Sequence, residues 1–125
     1  MKKVISTNKA PAALGPYSQA ILAGNTLYVS GQLGIDPATG DFAAQDAPGQ
    51  ARQALENLKA ILGESGATAE NVVKTTVLLA NISDFTAVNE IYAQVFRTDP
   101  PARSCFQVAC LPKNALVEIE AIAVI

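Results

Sequence analysis

The residues from Ala115 to Ile125 read Ala-Leu-Val-Glu-Ile-Glu-Ala-Ile-Ala-Val-Ile. A segment this apolar, rich in β-branched residues and bounded by a Pro/Asn turn, reads as a strand. Strand side chains alternate between faces. Val117, Ile119, Ala121 and Ala123 therefore share one face, and Glu118, Glu120, Ile122 and Val124 share the other. Both faces carry apolar side chains, so the strand must be covered on two sides. Carboxylates in such a place cost free energy unless they are paired, hydrated or put to use. An edge strand with its glutamates in water is the plainer account. Just upstream, Pro100 to Cys110 reads as another strand, opened by Arg103, with Leu111-Pro112-Lys113-Asn114 as a turn. Two strand-like segments around such a break form a hairpin-type signal.

The rest of the chain supplies the cover. Met1 to Thr7 holds a short β-prone run, and Asn8 to Pro16 is a loop broken by Pro11, Gly15 and Pro16. Tyr17 to Leu22 and Leu27 to Gln32 read as a hairpin around Ala23-Gly24-Asn25-Thr26. Gly31, at the end of the second strand, lets another group approach the backbone; a bulge is the plainer reading. Asp46 or Ala47 starts a helix whose stripe is Ala51, Leu55, Leu58, Ile61 and Leu62, ended by Gly63 and Gly66. Val72 to Ala80 is a strand. Ser83 or Asp84 caps a second helix with the stripe Phe85, Val88, Ile91, Tyr92, Val95 and Phe96. The predicted order is β, β, β, α, β, α, β, β in one domain spanning residues 1–125. Two amphipathic helices and a set of strands make an α+β sandwich with both helices on one sheet face. The other apolar face then calls for oligomerisation.

Composition narrows the chemistry. Half of the 125 residues are hydrophobic, enough for one globular core. No run of about 18 apolar residues exists to span a membrane. Lys2 and Lys3 precede no apolar core, so the reading expects no signal peptide and a cytoplasmic location. The net charge is −2 and the basic residues are scattered, which argues against nucleic acid as the main partner. Cys105 and Cys110, taken on one strand, would lie about 16 Å apart on opposite faces, too far to bridge. There is no histidine. Histidine-assisted nucleophiles and most zinc sites are thereby removed.

Pro101-Ala102-Arg103-Ser104-Cys105, followed by Val117-Glu118-Ile119-Glu120-Ala121-Ile122-Ala123, resembles the C-terminal signature of the RidA (YjgF) family. Gly15-Pro16-Tyr17, Ser30-Gly31-Gln32, Gln50-Ala51-Arg52-Gln53, Val73-Lys74-Thr75-Thr76-Val77 and Asn89 fit the same family in order and spacing. The resemblance covers essentially the whole chain. It implies a chorismate-mutase-like α+β fold, a mixed sheet with two helices on one face, and a homotrimer built around a central barrel. Three equivalent clefts would lie between subunits. It also implies hydrolysis of reactive enamines and imines (2-aminoacrylate, 2-iminopropanoate, 2-iminobutanoate) to 2-keto acids and ammonia, with no cofactor or metal. These intermediates arise from pyridoxal-phosphate enzymes, a functional link that needs no stable complex.

The resemblance assigns roles. Arg103 binds the substrate carboxylate, because a guanidinium offers two parallel donors and stays charged. Its alternative is a structural ion pair with Glu118 or Glu120. Glu118 positions or activates the water that attacks the C=N carbon; Glu120 is structural. Cys105 contributes its backbone amide and lines the pocket. The reaction needs no thiolate, and no histidine is present to activate one. Tyr17 places the substrate or relays a proton. Ser30, Gly31 and Asn89 line the cleft. Two readings from other classes stand beside the deaminase. One is a small-metabolite-binding regulator or chaperone using the same cleft; the other is a translation-inhibiting ribonuclease-type member.

Overall fold

The computed structural model describes all residues from Met1 to Ile125. Six strands form one sheet: β1 (Lys2–Ile5), β2 (Ala20–Ala23), β3 (Thr26–Leu33), β4 (Val72–Leu79), β5 (Ala102–Gln107) and β6 (Val117–Val124). Two helices, α1 (Ala47–Glu64) and α2 (Phe85–Val95), complete the expected order. No helix is long and apolar enough to cross a membrane.

The sheet order is β1-β2-β3-β6-β4-β5. All pairs are antiparallel except β4–β5, which α2 connects as a crossover; a parallel pair requires such a connection. The hairpin expected of β5 and β6 does not form. β4 lies between them and pairs with both, in register Val77↔Cys105 and Val77↔Ile119. A local turn signal is blind to a strand inserted from earlier in the chain. β6 is accordingly not an edge strand, although Glu120 does face solvent.

The alternation along β6 is as expected. Val117, Ile119, Ala121 and Ala123 are buried under the helices, whereas Glu118 and Ile122 are half-buried and Glu120 and Val124 exposed. The buried face joins the α1 stripe (Ala51, Leu55, Leu58, Ile61, Leu62) and Val88, Ile91 and Tyr92 of α2 in one core. No element covers the opposite face. In register across it run Val4, Ile21, Tyr28 and Ile122, one from each of β1, β2, β3 and β6. Phe106 and Leu78 share that face with Glu118.

Local signals set the boundaries. Asp46 caps α1, accepting from the Gly49 N–H at 2.8 Å, with Pro48 in the first turn. Asp84 occupies the N-cap position of α2, one of the two expected, while the side-chain cap bond in this region belongs to Asn81. Its side chain accepts from the Ser83 N–H at the start of a 3₁₀ turn (Ile82–Asp84) that runs into α2. Asp84 makes no side-chain cap bond. Tyr17, expected in a strand, lies in a loop. The Tyr17 N–H folds back to the Gly15 carbonyl, and Gly15 has a φ of 142°. Cys110 lies beyond the end of β5, so the two cysteines do not share a strand; both are free.

The end of β3 is tied closely to α1. Asn57 Nδ2 donates to the carbonyls of Leu33 and Ile35, and Gln50 Oε1 accepts from the Leu116 N–H. Gly34 makes this approach possible, since a Cβ there would overlap the Gln50 backbone. Gly34→Ala should therefore destabilise the fold by about 1–3 kcal/mol, the usual cost of overpacking. Thermal denaturation beside the unchanged protein measures it; an unchanged midpoint would show that the helix can yield.

Candidate active site

The sequence-predicted residues fall into two groups. Tyr17, Ser30, Gly31 and Glu118 line a cleft of about 690 Å³ on the uncovered side of the sheet. β3 carries one extra residue between Val29 and Gln32 relative to β6, a bulge at Ser30-Gly31. Gly31 thus serves both readings given above. It sits in the bulge, and the Glu118 side chain packs against it so closely that a Cβ would lie 2.8 Å from the carboxyl carbon. Ser30 Oγ donates to the Ser18 carbonyl at 2.6 Å, and its N–H to the Gln19 carbonyl at 2.9 Å. Burial raises the Glu118 pKa above the ordinary glutamate value, and the charge of Glu120 adds to the effect. Glu118 has no hydrogen-bond or ion-pair partner within the chain.

The second group lies at the free edge of β5. Arg103 pairs in register with the buried Thr75 and points to the helix side. Its Nη1 donates to Asn89 Oδ1 of α2 at 2.7 Å. Its guanidinium carbon lies 4.8 Å from the Tyr92 ring centroid and 5.5 Å from that of Phe85, within cation–π range. The remaining N–H donors have no partner in the chain. The one ion pair present, Lys59–Glu56, is elsewhere, so the structural pair of Arg103 with Glu118 or Glu120 does not form within the chain. Cys105 follows on the same side of β5. Val108 N–H donates to the Leu79 carbonyl of β4; by alternation the Cys105 N–H points outward at the open edge. Burial raises the Cys105 pKa, with Arg103 opposing. Burial thus disfavours the thiolate form.

Arg103 and Glu118 are therefore not brought together within the chain. They project from opposite faces of one sheet.

Residues 7–125 match the family described as endoribonuclease L-PSP. The chain belongs to this family, the RidA (YjgF) family of the motif resemblance. It is 53% identical to a human 2-iminobutanoate/2-iminopropanoate deaminase, over 99% of this chain and 90% of the human one. Among solved structures it superposes with a putative endoribonuclease L-PSP from Entamoeba histolytica (49% identity, TM-score 0.97, all of both chains). It also superposes with E. coli TdcF with bound serine (44% identity, TM-score 0.94, 98% of both chains).

Around these RidA-type residues, sequence reasoning missed their supports. Gln19 is buried and spans the N-terminal loop. Its Oε1 accepts from the Thr7 N–H at 2.7 Å, and its Nε2 lies 2.7 Å from the Pro11 carbonyl and 3.0 Å from that of Thr7. It thereby holds the loop wall that carries Pro11, Leu14 and Tyr17. Lys113 lines the same cleft from a turn with φ 56°. The usable signal for Gln19 was its place beside the Gly15-Pro16-Tyr17 motif.

The raised Glu118 pKa has a stability consequence. The folded state holds this proton to higher pH than the unfolded state does, so stability falls as pH rises from the ordinary glutamate value to the raised one. Glu118→Gln removes that loss. Its thermal midpoint should match the unchanged protein at pH 4 and exceed it at pH 7. A difference independent of pH would mean that the carboxylate is not desolvated.

Proposed function

We propose that this chain is a hydrolytic deaminase of 2-imino and 2-enamino acids, working as a homotrimer in the cytoplasm. The observation that carries this reading is the division of the site. The Arg103 edge and the Glu118 cleft are each chemically incomplete, and they lie on faces that two neighbouring subunits can bring together. The uncovered apolar face supplies a reason to associate. Free cysteines agree with the location. The names of the relatives, and the serine bound to TdcF, agree with a small amino-acid-like substrate.

On this reading Arg103 of one subunit takes the substrate carboxylate through its unpartnered donors. Asn89 fixes the guanidinium, and the outward Cys105 N–H adds a donor. The neighbouring subunit contributes Tyr17, Ser30, Gly31 and Glu118. Glu118 accepts a proton from water as the oxygen attacks C2 and the C=N π electrons move to nitrogen. It then returns the proton to that nitrogen. The carbinolamine then collapses: its hydroxyl proton passes through Glu118 to the nitrogen, the oxygen electron pair forms C=O, and the C–N bond breaks with its pair on the departing ammonia. One water is consumed, and one 2-keto acid and one ammonia leave. An enamine first takes a proton at C3 and gives one up from nitrogen to become the imine, with Tyr17 or Glu118 as the relay. A raised pKa makes the Glu118 carboxylate a better base for the first transfer.

Two measurements test this. Light scattering should give a mass near three times 13.0 kDa; a monomer at micromolar concentration sinks the shared site. Imine generated in situ by threonine dehydratase and trapped with semicarbazide gives the rate. Arg103→Ala should lose both turnover and calorimetric binding of 2-oxobutanoate, since charged hydrogen bonds contribute roughly 1.5–3 kcal/mol each. Glu118→Gln should still bind it while hydrolysis falls by about 10²–10⁴-fold. Full activity in either variant would remove that residue from the mechanism.

A further inference from the structure

We propose that Tyr92, braced by Thr75 and assisted by Phe85, is a positioning residue that holds the Arg103 guanidinium in its substrate-binding orientation. The proposal rests on Arg103 being the carboxylate anchor. Phe85, Asn89 and Tyr92 stand at i, i+4 and i+7 on α2, so they share one helix face, and all three touch Arg103. Two offer ring faces and one an amide oxygen. None is charged, so none competes with an anionic ligand for the guanidinium.

Tyr92 is fixed at both ends. Its hydroxyl and Thr75 Oγ1 lie 2.6 Å apart in the core, and its ring packs against Phe96, tilted by 43°, with centroids 4.6 Å apart. Thr75 sits on β4 directly beside Arg103 in register. The ring is thus tied to the same point of the sheet from which the arginine departs. A phenylalanine would fill the core equally well. The two buried hydroxyls satisfy only each other, and what their bond adds is a fixed ring plane under the guanidinium. Arg103 is long and flexible, and a defined orientation requires restraints on several sides.

The test compares Tyr92→Met, which keeps bulk without a ring face, with Tyr92→Phe, Phe85→Leu and Arg103→Ala. Each is taken as the intact assembly, with its mass checked by light scattering. Calorimetric Kd for 2-oxobutanoate, KM and kcat are read together with the thermal midpoint. Tyr92→Met should raise Kd and KM about tenfold, the scale of a partly desolvated cation–π contact, while kcat stays within about twofold. Tyr92→Phe, which keeps the ring face but loses the Thr75 brace, should fall between the unchanged protein and Tyr92→Met, raising Kd and KM about threefold. Phe85→Leu, at a half-buried position, gives an arm that does not strain the core and should raise Kd and KM about threefold. A purely structural tyrosine would lower the midpoint without moving Kd or KM, and that result overturns the proposal. Loss of binding in Arg103→Ala beside normal binding in the Tyr92 and Phe85 variants rejects the positioning role alone. Normal binding in Arg103→Ala rejects the anchor reading itself.

Discussion

The contacts that α1 makes beneath the ends of β3 and β6 are the constraint on which the rest depends. Asn57 takes the Leu33 and Ile35 carbonyls, Gln50 takes the Leu116 N–H, and Gly34 lets the backbones close. These are buried polar groups whose loss would leave unsatisfied partners, each costing about 1–3 kcal/mol. Their effect is positional. They fix where β3 stops and where β6 starts, and so set the register in which the Ser30-Gly31 bulge faces Glu118. The floor of the cleft is thus fixed by polar groups under the sheet, on the side away from the cleft itself.

Much of this architecture was legible in the chain. Both helices are written in their stripes and caps, because helical periodicity and N-cap chemistry are local. The two faces of β6 are written in its alternation. Strand pairing was not. Arg103 and Glu118 lie close in sequence, around what looks like a hairpin turn, yet β4 lies between their strands. Alternation alone assigns each strand two faces, but matching the faces of β5 and β6 requires knowing that β4 relates them. The same gap hid the support of Arg103. Tyr92 reads as one more apolar member of the α2 stripe, and only its pairing with Thr75 distinguishes it. Loop residues were also misplaced: Tyr17 follows Gly15 and Pro16, whose backbone preferences turn the chain before a strand can start.

The separation of Arg103 from Glu118 has an electrostatic consequence. A guanidinium and a carboxylate on one face of one sheet would find each other, and the pair would satisfy the donors that a ligand needs. Breaking it to admit substrate would cost the charge-assisted bonds of that pair. On opposite faces neither can neutralise the other within the subunit. Arg103 keeps free donors because its local partners are an amide oxygen and two rings. Glu118 keeps a free carboxyl because it packs against Gly31 and pairs in register with Leu33 and Leu78, none of which offers a side-chain partner; burial, and then the charge of Glu120, opposes its ionisation. A site assembled between subunits on the proposed reading would then bring together two groups that were never paired. The substrate carboxylate would neutralise the arginine, and the carboxyl would be left to move a proton. On that reading folding of the chain would prepare each half, and association, not a conformational change within the chain, would complete the chemistry.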